Sequence, residues 1–241
     1  MWKLFFEICH FSCALIPNRK LRERIRKKQL FDWYNKYKAL KKRFPELNFR
    51  RTKMIKGGWN IGFIVDKKYV FKIRKFFDSS IPTEKIVREK RITDAFQNIS
   101  PLQIPKIEII NTDGYTFYKY NFIHGENLNT CSQRKIEEHA WALGKQIAEF
   151  IYAVHNSRPE EIEDLRGNIA GDGWNHNDIC NNIIVDKRTM KIVGIIDWEY
   201  SGWGTLETEF NNTVAYSQKI RDAGLKIAIM SYYKSMSNQN N

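Results

Sequence analysis

Cysteine and proline are scarce in this chain of 241 residues, which has four of the first and six of the second. The cysteines are Cys9, Cys13, Cys131 and Cys180, and they form no CxxC pair and no Cys/His set with the spacing of a zinc site. We therefore expect reduced thiols in a cytoplasmic protein. For Cys180 we expect a packing role, because nothing in its surroundings marks it as a nucleophile.

Long apolar runs are also missing. Residues 1–16 read MWKLFFEICHFSCALI, which is shorter than the about 20 apolar residues that a membrane-spanning helix needs and is interrupted by Glu7 and His10. Positive charge follows this segment instead of preceding it, so a signal peptide is not expected. No internal repeat occurs, and 42% hydrophobic residues suffice for a full core in one bilobal unit or two small domains.

Charge is distributed unevenly along the chain. Residues 17–56 contain 16 Lys and Arg against three Asp and Glu, whereas the rest of the chain has 24 of each. This predicts a basic N-terminal element, residues 1–50, whose partner is anionic, ahead of a neutral body.

The basic element has two interpretations. Aromatic residues at helical spacing in residues 1–16, followed by cations, favour an amphipathic anchor through residues 1–43 on an anionic membrane surface, here the inner face of the cell membrane. The alternative is a solvated basic helix whose apolar side packs on the core. Nucleic acid is a disfavoured partner, because the segment carries no known recognition motif.

Two turns with aspartates lie between residues 174 and 200. Asp178 precedes the apolar run at 183–185, and Asp197 follows a second run at 192–196. The polar connection at 186–189 has the size of a hairpin, so the two predicted strands pair antiparallel and bring Asp178, Asn182 and Asp197 together. Two carboxylates and an amide oxygen are hard ligands that suit Mg²⁺.

The order HxD, a nearby Asn, an apolar strand and IIDWEYSGWG resembles the catalytic core of the aminoglycoside phosphotransferase and choline kinase-like family, relatives of the protein kinases. In that family the HxD aspartate orients the attacking hydroxyl and accepts its proton, while the Asn and the second Asp hold magnesium on nucleotide phosphates. The resemblance assigns these roles to Asp178, Asn182 and Asp197. The family usually places the Asn five residues after the Asp, whereas Asn182 lies four after Asp178 and Asn181 lies closer still. Either the loop is one residue shorter or the ligand is supplied differently.

The resemblance extends to the nucleotide site. GGWN resembles the family's nucleotide loop, Lys72 in YVFKI takes the place of its phosphate-binding lysine, and a predicted helix over 81–97 supplies Glu89 as the partner of Lys72, with Glu84 as the alternative. YNFIHGENL resembles the hinge that meets adenine, with Gly125 at the crossing between lobes. The nucleotide-binding residues implied in this way are Gly57, Gly58, Asn60, Lys72, Glu89, Tyr120 and Phe122.

The fold implied is a two-lobed, protein kinase-like α+β fold. After the extension 1–50, we expect a small N-lobe at 51–124, an antiparallel sheet with one helix, and a mainly helical C-lobe at 125–241. Helical periodicity predicts one long helix over 132–156 and one or two closing helices over 206–233.

The activity implied is ATP- and Mg²⁺-dependent transfer of the γ-phosphoryl group to a hydroxyl of a small molecule. No protein-kinase activation segment follows Asp197, which argues against a protein substrate. Glu199, Tyr200 and Trp203 are the expected substrate residues, suited to a cationic acceptor such as choline or an aminoglycoside-like amino sugar. Lobe packing is the alternative for these side chains.

Two further interpretations remain open. The basic N-terminus favours a sugar of a lipid-linked bacterial surface polysaccharide as the acceptor. The short spacing from Asp178 to Asn182 favours a pseudokinase-type docking subunit in a membrane-associated polysaccharide assembly.

Overall fold

The structure is a computed structural model that describes residues 31–56, 60–74, 83–215 and 217–239, together with Pro17. The chain divides into two compact units. The first comprises Met1–Asp78 and Ile109–Lys119, and the second comprises Ser79–Glu108 and Tyr120–Asn241.

The first unit contains helix α1 (Phe31–Arg43) and most of a five-stranded sheet. The strands are β1 (Lys53–Lys56), β2 (Asn60–Val65), β3 (Tyr69–Arg74), β4 (Glu108–Thr112) and β5 (Tyr115–Asn121). Their order is β1-β2-β3-β5-β4, and β2 pairs antiparallel with both β1 and β3. The predicted antiparallel-sheet lobe is therefore confirmed.

The helix in the core of the first unit is α1. Leu40 is fully buried and belongs to the same cluster as Phe44, Phe63 and Phe71. The described part of the basic segment therefore forms a helix whose apolar side packs on the core. The sequence had predicted instead a separate extension that ends at residue 50. The rest of the membrane-anchor prediction falls on residues 1–16 and 18–30, which lie outside the described residues.

The second unit contains the remaining α-helices and strands of the described residues. They are α2 (Thr83–Phe96), β6 (Glu126–Asn127), α3 (Gln133–Glu138), α4 (Ala140–His155), β7 (Gly173–Asn175), β8 (Ile183–Val185), β9 (Ile192–Ile195), β10 (Gly202–Gly204), α5 (Leu206–Ala215), α6 (Gln218–Asp222) and α7 (Leu225–Gln239). The predicted long helix over 132–156 is interrupted at His139, and the closing region forms three helices.

Helix α2 is grouped with the second unit, whereas we expected it to be the helix of the N-lobe. Helix α2 belongs to the second unit because its apolar side packs in the core of that unit. Ile92 and Phe96 are fully buried in the core of the second unit, and the Phe96 ring stacks on Trp198 with centroids 5.7 Å apart.

The predicted hairpin after Asp178 is present. Strands β8 and β9 pair antiparallel, and Asp186 Oδ1 accepts the N–H groups of Arg188 at 2.9 Å and Thr189 at 2.8 Å, which closes the turn. Gly125 precedes β6, where an added Cβ would lie 2.6 Å from Val185 O, so the strand crossing requires glycine at this position. Among the described residues, no helix is both long and apolar enough to cross a bilayer.

Candidate active site

The Asp178 carboxylate is held on both oxygens by amides of the following turn. Asn181 Nδ2 donates to Oδ1 at 2.8 Å, and Asn182 Nδ2 donates to Oδ2 at 3.0 Å. Asn182 Nδ2 also donates to the main-chain oxygen of Asp178 at 2.8 Å. Two donors in fixed positions orient the carboxylate, as a general base requires.

His176 connects the two aspartate turns. Its Nδ1 accepts the N–H of Asp178 at 3.2 Å, and its Nε2 lies 3.1 Å from the main-chain oxygen of Ile196. The tautomer with the proton on Nε2 satisfies both contacts. The ring is buried and packs edge-on against Trp198 with centroids 5.0 Å apart. His176 therefore connects the backbone of Asp178 to that of Ile196, the residue directly before Asp197.

The Asp197 turn is fixed through its backbone. Ile196 N–H donates to Asn182 O at 3.0 Å, and Trp198 N–H donates to Glu89 Oε1 at 3.2 Å. Asp197 itself has φ 64°, in the left-handed region. That conformation costs on the order of 1 kcal/mol for a residue other than glycine, so the surrounding contacts must maintain it.

Burial and charge act together on Asp178. Burial is the largest cause that raises the pKa of its carboxyl group, and the nearby charges of Asp197 and Glu199 raise it further. The hydrogen bonds from Asn181 and Asn182 act in the opposite direction. The result is a carboxylate with a higher proton affinity than an exposed aspartate, in a geometry that is already fixed.

The oxygen donors beside Asp178 suit a magnesium ion. Because both contacts of the Asn182 amide nitrogen point to Asp178, its Oδ1 is left as the acceptor end of the side chain. The bond from Ile196 N–H to Asn182 O places this residue beside the Asp197 turn. One amide oxygen and one carboxylate are typical of Mg²⁺ that shares its remaining positions with water and substrate phosphates. Among the described residues, no group of three His, Cys, Asp or Glu side chains could hold a metal ion.

Glu209 on α5 is a supporting residue that the sequence analysis missed. Its Oε2 accepts the main-chain N–H groups of His176 at 2.5 Å and Asn177 at 3.1 Å, and its Oε1 accepts the Thr213 hydroxyl at 3.1 Å. Complete burial raises the pKa of its carboxyl group to about 7. The available signal was its position three residues after Leu206 and four before Thr213, which places a carboxylate on the buried side of the helix.

Asn177 connects the Asp178 turn to the predicted substrate residues. It has φ 66°, its Nδ2 donates to Tyr200 O at 3.0 Å, and its Oδ1 accepts from Asn212 Nδ2 at 3.3 Å. Tyr200 is 54% exposed, and Glu199 beside it is half-buried. The amides of Asn177 and Asn212 therefore flank the Asp178 turn, and the Glu199 carboxylate and the exposed Tyr200 ring follow Asp197 in the chain.

Trp203 is placed differently from Tyr200. It is 6% exposed, lies in β10 opposite Trp174, and is covered by the guanidinium groups of Arg166 at 4.0 Å and Arg158 at 4.8 Å from the ring centroid. These contacts agree with the packing alternative for this tryptophan.

Helix α2 is attached to the loop after Asp197 at two points. Glu89 is 3% exposed and accepts from Trp198 N–H, while Arg88 Nη1 donates to Ser201 O at 2.6 Å. The alternative Glu84 is exposed. Of the two predicted candidates, Glu89 is therefore the one that is buried and hydrogen-bonded.

The remaining predicted nucleotide residues are distributed over both units. Lys72 is 9% exposed in β3 of the first unit, with its Nζ 5.2 Å from the Tyr118 ring centroid, and Asn60 is buried at the start of β2. In the second unit Tyr120 is buried, and the Phe122 ring packs edge-on against His124. The pairing of Lys72 with Glu89 stays a prediction, and Gly57 and Gly58 lie outside the described residues.

Comparisons with known proteins give a family match for part of the chain and a set of structures with a similar fold. Residues 156–238, which include both aspartate turns, match the phosphotransferase enzyme family (APH). No curated protein matches the chain in sequence.

Three solved structures are similar in fold. Wild-type aminoglycoside 2'-phosphotransferase-IIIa in its GDP complex has 14% identity and a TM-score of 0.64, over 83% of this chain and 82% of that one. The streptomycin–ATP ternary complex of APH(2")-IIa has 17% identity and a TM-score of 0.59, over 82% of each chain. The apoenzyme of macrolide 2'-phosphotransferase MphH from Brachybacterium faecium has 14% identity and a TM-score of 0.56, over 81% of this chain and 82% of that one. The predicted family resemblance and the kinase-like fold are confirmed.

Proposed function

We propose that this protein is a phosphotransferase that moves the γ-phosphoryl group of ATP to a hydroxyl group of a small molecule. The observation that carries the proposal is the pair of turns, in which a base held by two amides, Asp178, lies beside the oxygen donors Asn182 and Asp197. The family match over residues 156–238 supports the reaction class. One of the similar structures contains ATP and another contains GDP.

The chemistry follows from the residues. Asp178 orients the acceptor hydroxyl and takes its proton as the hydroxyl oxygen bonds to the γ-phosphorus, and the bond from that phosphorus to the bridging oxygen breaks to release ADP. Asn182 and Asp197 would hold Mg²⁺, which when bound neutralises charge on the phosphate oxygens. Lys72, with Glu89 as its partner, is proposed to bind the phosphates that stay on the nucleotide.

For the acceptor, we propose a sugar or amino sugar. The exposed Tyr200 ring offers a stacking surface, while Glu199 and the amides of Asn177 and Asn212 suit hydroxyl and ammonium groups. The basic N-terminal segment favours a sugar that belongs to a lipid-linked surface polysaccharide, and choline remains a candidate through a cation–π contact with Tyr200.

The test is Mg²⁺-dependent ADP release by the wild type and Asp178→Asn with choline, ethanolamine, aminoglycosides, free sugars and lipid-linked oligosaccharides. We expect one class to stimulate the wild type and a loss of roughly 10²-fold or more in Asp178→Asn. Tyr200→Ala should raise KM for that acceptor, whereas Trp141→Ala, a matched control at a tryptophan 58% exposed on α4, should not.

The opposite results are equally informative. Nucleotide binding without turnover for any acceptor would favour the docking-subunit interpretation. No nucleotide binding at all would refute the proposal.

A further inference from the structure

A chain of side-chain hydrogen bonds reaches Asp178 through Asn181. Ser217 Oγ donates to Asn129 Oδ1 at 2.7 Å, and Asn129 Nδ2 donates to Asn181 Oδ1 at 3.4 Å. Asn181 Nδ2 in turn donates to Asp178 Oδ1 at 2.8 Å. All four residues belong to the second unit. Asn129 and Ser217 therefore contact the end of the Asn181 amide that faces away from the carboxylate.

The groups at the ends of this chain determine the direction of its hydrogen bonds. Asn129 Nδ2 also donates to Cys180 O at 2.9 Å, and a main-chain oxygen can only accept, so the nitrogen of this amide faces the Asp178 turn. Its second N–H meets the oxygen of Asn181, which leaves the Asn181 nitrogen directed at the Asp178 carboxylate. An ionised carboxylate also only accepts. An Asn181 amide turned the other way would place its oxygen against that carboxylate.

Asn129 is held in place from two sides. It lies in a 3-10 turn, Leu128–Thr130, whose Leu128 is fully buried in the core of the second unit. On the other side, the hydroxyl that donates to Asn129 belongs to Ser217, directly before helix α6, and its oxygen accepts the N–H of Ile220 at 3.4 Å. A side chain fixed by two separate elements is suited to orient a neighbour.

The main chain of the Asp178 turn has a support of its own. Asn127 Nδ2 donates to Asn181 O at 2.6 Å, and Asn127 Oδ1 accepts the N–H of Asn129 at 2.9 Å. Asn127 therefore holds the backbone of residue 181, whereas Asn129 also contacts its side chain. Removing the Asn129 side chain leaves this backbone support present.

We propose that Asn129 is a positioning residue for the base, because it sets the Asn181 amide with its nitrogen, and not its oxygen, toward Asp178. Asn129 acts through Asn181, which is the residue that binds the carboxylate. Ser217 keeps Asn129 in the required orientation. The inference rests on the proposed function, in which Asp178 accepts the proton of the acceptor hydroxyl.

The experiment is a double-mutant cycle on kcat, measured as Mg²⁺-dependent ADP release with an acceptor that stimulates the wild type. Asn129→Ala should lower kcat by roughly tenfold and leave KM for ATP within about twofold. Because Asn129 acts through Asn181, the double variant Asn129→Ala/Asn181→Ala should have the same kcat as Asn181→Ala alone. A purely structural role would instead give independent losses that multiply.

Asn129→Asp separates the hydrogen-bond donor from packing. This variant keeps the size of the side chain and the acceptor for Ser217, but it places an oxygen where the nitrogen faces Cys180 O and Asn181 Oδ1. We expect it to lose at least as much kcat as Asn129→Ala. The matched control Asn98→Asp adds the same charge at an exposed position of the second unit and should leave kcat unchanged.

The side-chain amide signals of Asn181 in the nuclear magnetic resonance spectrum of isotope-labelled protein test the contact without turnover. Asn181→Ala assigns these signals, and we expect Asn129→Ala to shift them while Asn98→Asp does not. Unchanged signals in Asn129→Ala, or losses of kcat that multiply in the double variant, would overturn the inference.

A third result separates the inference from the function on which it rests. If the Asn181 signals shift but no acceptor stimulates turnover, the proposed function fails, and the contact between the two asparagines has no catalytic role. Urea unfolding checks that each variant is folded. Ser217→Ala, which leaves Asn129 bound to Cys180 O, takes the place of Asn129→Ala in the cycle if that variant is not folded.

Discussion

The two aspartate turns hold their carboxylates by different means. At Asp178 the side chain itself is bound, by Asn181 and Asn182, whereas at Asp197 the flanking backbone is fixed and φ is 64°. Each turn also has a buried glutamate beneath it that accepts main-chain N–H groups, Glu209 for the first and Glu89 for the second. These two kinds of support suit the proposed roles, because a base needs a fixed side-chain orientation and a metal ligand needs a fixed position.

Among the substitutions that test this difference between the two turns, Asp197→Asn should have the largest effect on activity. Asn tolerates positive φ, so the turn is kept while a negative ligand is lost. We expect kcat/KM to fall by on the order of 10³-fold, with the melting temperature nearly unchanged. Steady-state kinetics and thermal unfolding of the same preparations provide the check. A fall of less than tenfold would mean that Asp197 is not the metal ligand.

Glu209→Gln tests the support beneath the Asp178 turn. The raised pKa of about 7 means that the folded protein binds a proton at Glu209 more tightly than the unfolded chain. Its stabilising contribution is therefore full below pH of about 4.5, the unfolded value, and is lost as the pH rises through about 7.

We accordingly expect the wild type to lose about 3 kcal/mol of unfolding free energy from this group between acidic and mildly alkaline pH. The variant should lack that loss, because Gln keeps the acceptor for both N–H groups and can donate to Thr213. Urea unfolding over this pH range measures both proteins. Identical pH profiles would show that Glu209 ionises as freely in the folded protein as in the unfolded chain.

Glu89→Ala tests the corresponding support beneath the Asp197 turn. Removing the carboxylate leaves the buried N–H of Trp198 without its acceptor, which should lower stability by about 2 kcal/mol. Glu84→Ala, at an exposed position on the same helix, is the control and should change stability by less than about 0.5 kcal/mol. An equal loss of stability in the two variants would show that Glu89 does not stabilise the Asp197 turn.

Asn181→Ala and Asn182→Ala separate orientation of the base from metal binding. Both remove a donor to the ionised Asp178 and should raise the pKa of its carboxyl group, so activity is lost at a higher pH on the acidic side. Only Asn182→Ala should also raise the Mg²⁺ concentration for half-maximal activity, by roughly tenfold. A larger Mg²⁺ effect in Asn181→Ala would assign the ligand to Asn181, three residues after Asp178, instead of Asn182.

The sequence predicted the turns better than their supports. HxD, the β-branched runs and the polar connection at 186–189 are local patterns, and the structure has the hairpin that they predict. Glu209 lies 31 residues after Asp178 in the sequence, and although its spacing from Leu206 and Thr213 indicates a buried side of the helix, nothing local shows which main-chain N–H groups it accepts. The same holds for α1 and α2. Their periodicity predicts helices, but which core they join depends on long-range contacts such as that between Phe96 and Trp198.

The placement of α2 also determines how the molecule can be divided. Arg91 on this helix binds both oxygens of Asp164, at 2.6 and 2.8 Å, and Glu89 reaches the Asp197 turn, so the second unit consists of two separate stretches of chain. A fragment cut at the apparent lobe boundary, residues 125–241, would contain both aspartates and still lack part of its own core. A recombinant catalytic fragment, or a chimera with another protein's first unit, has to carry residues 79–108 as well as 120–241.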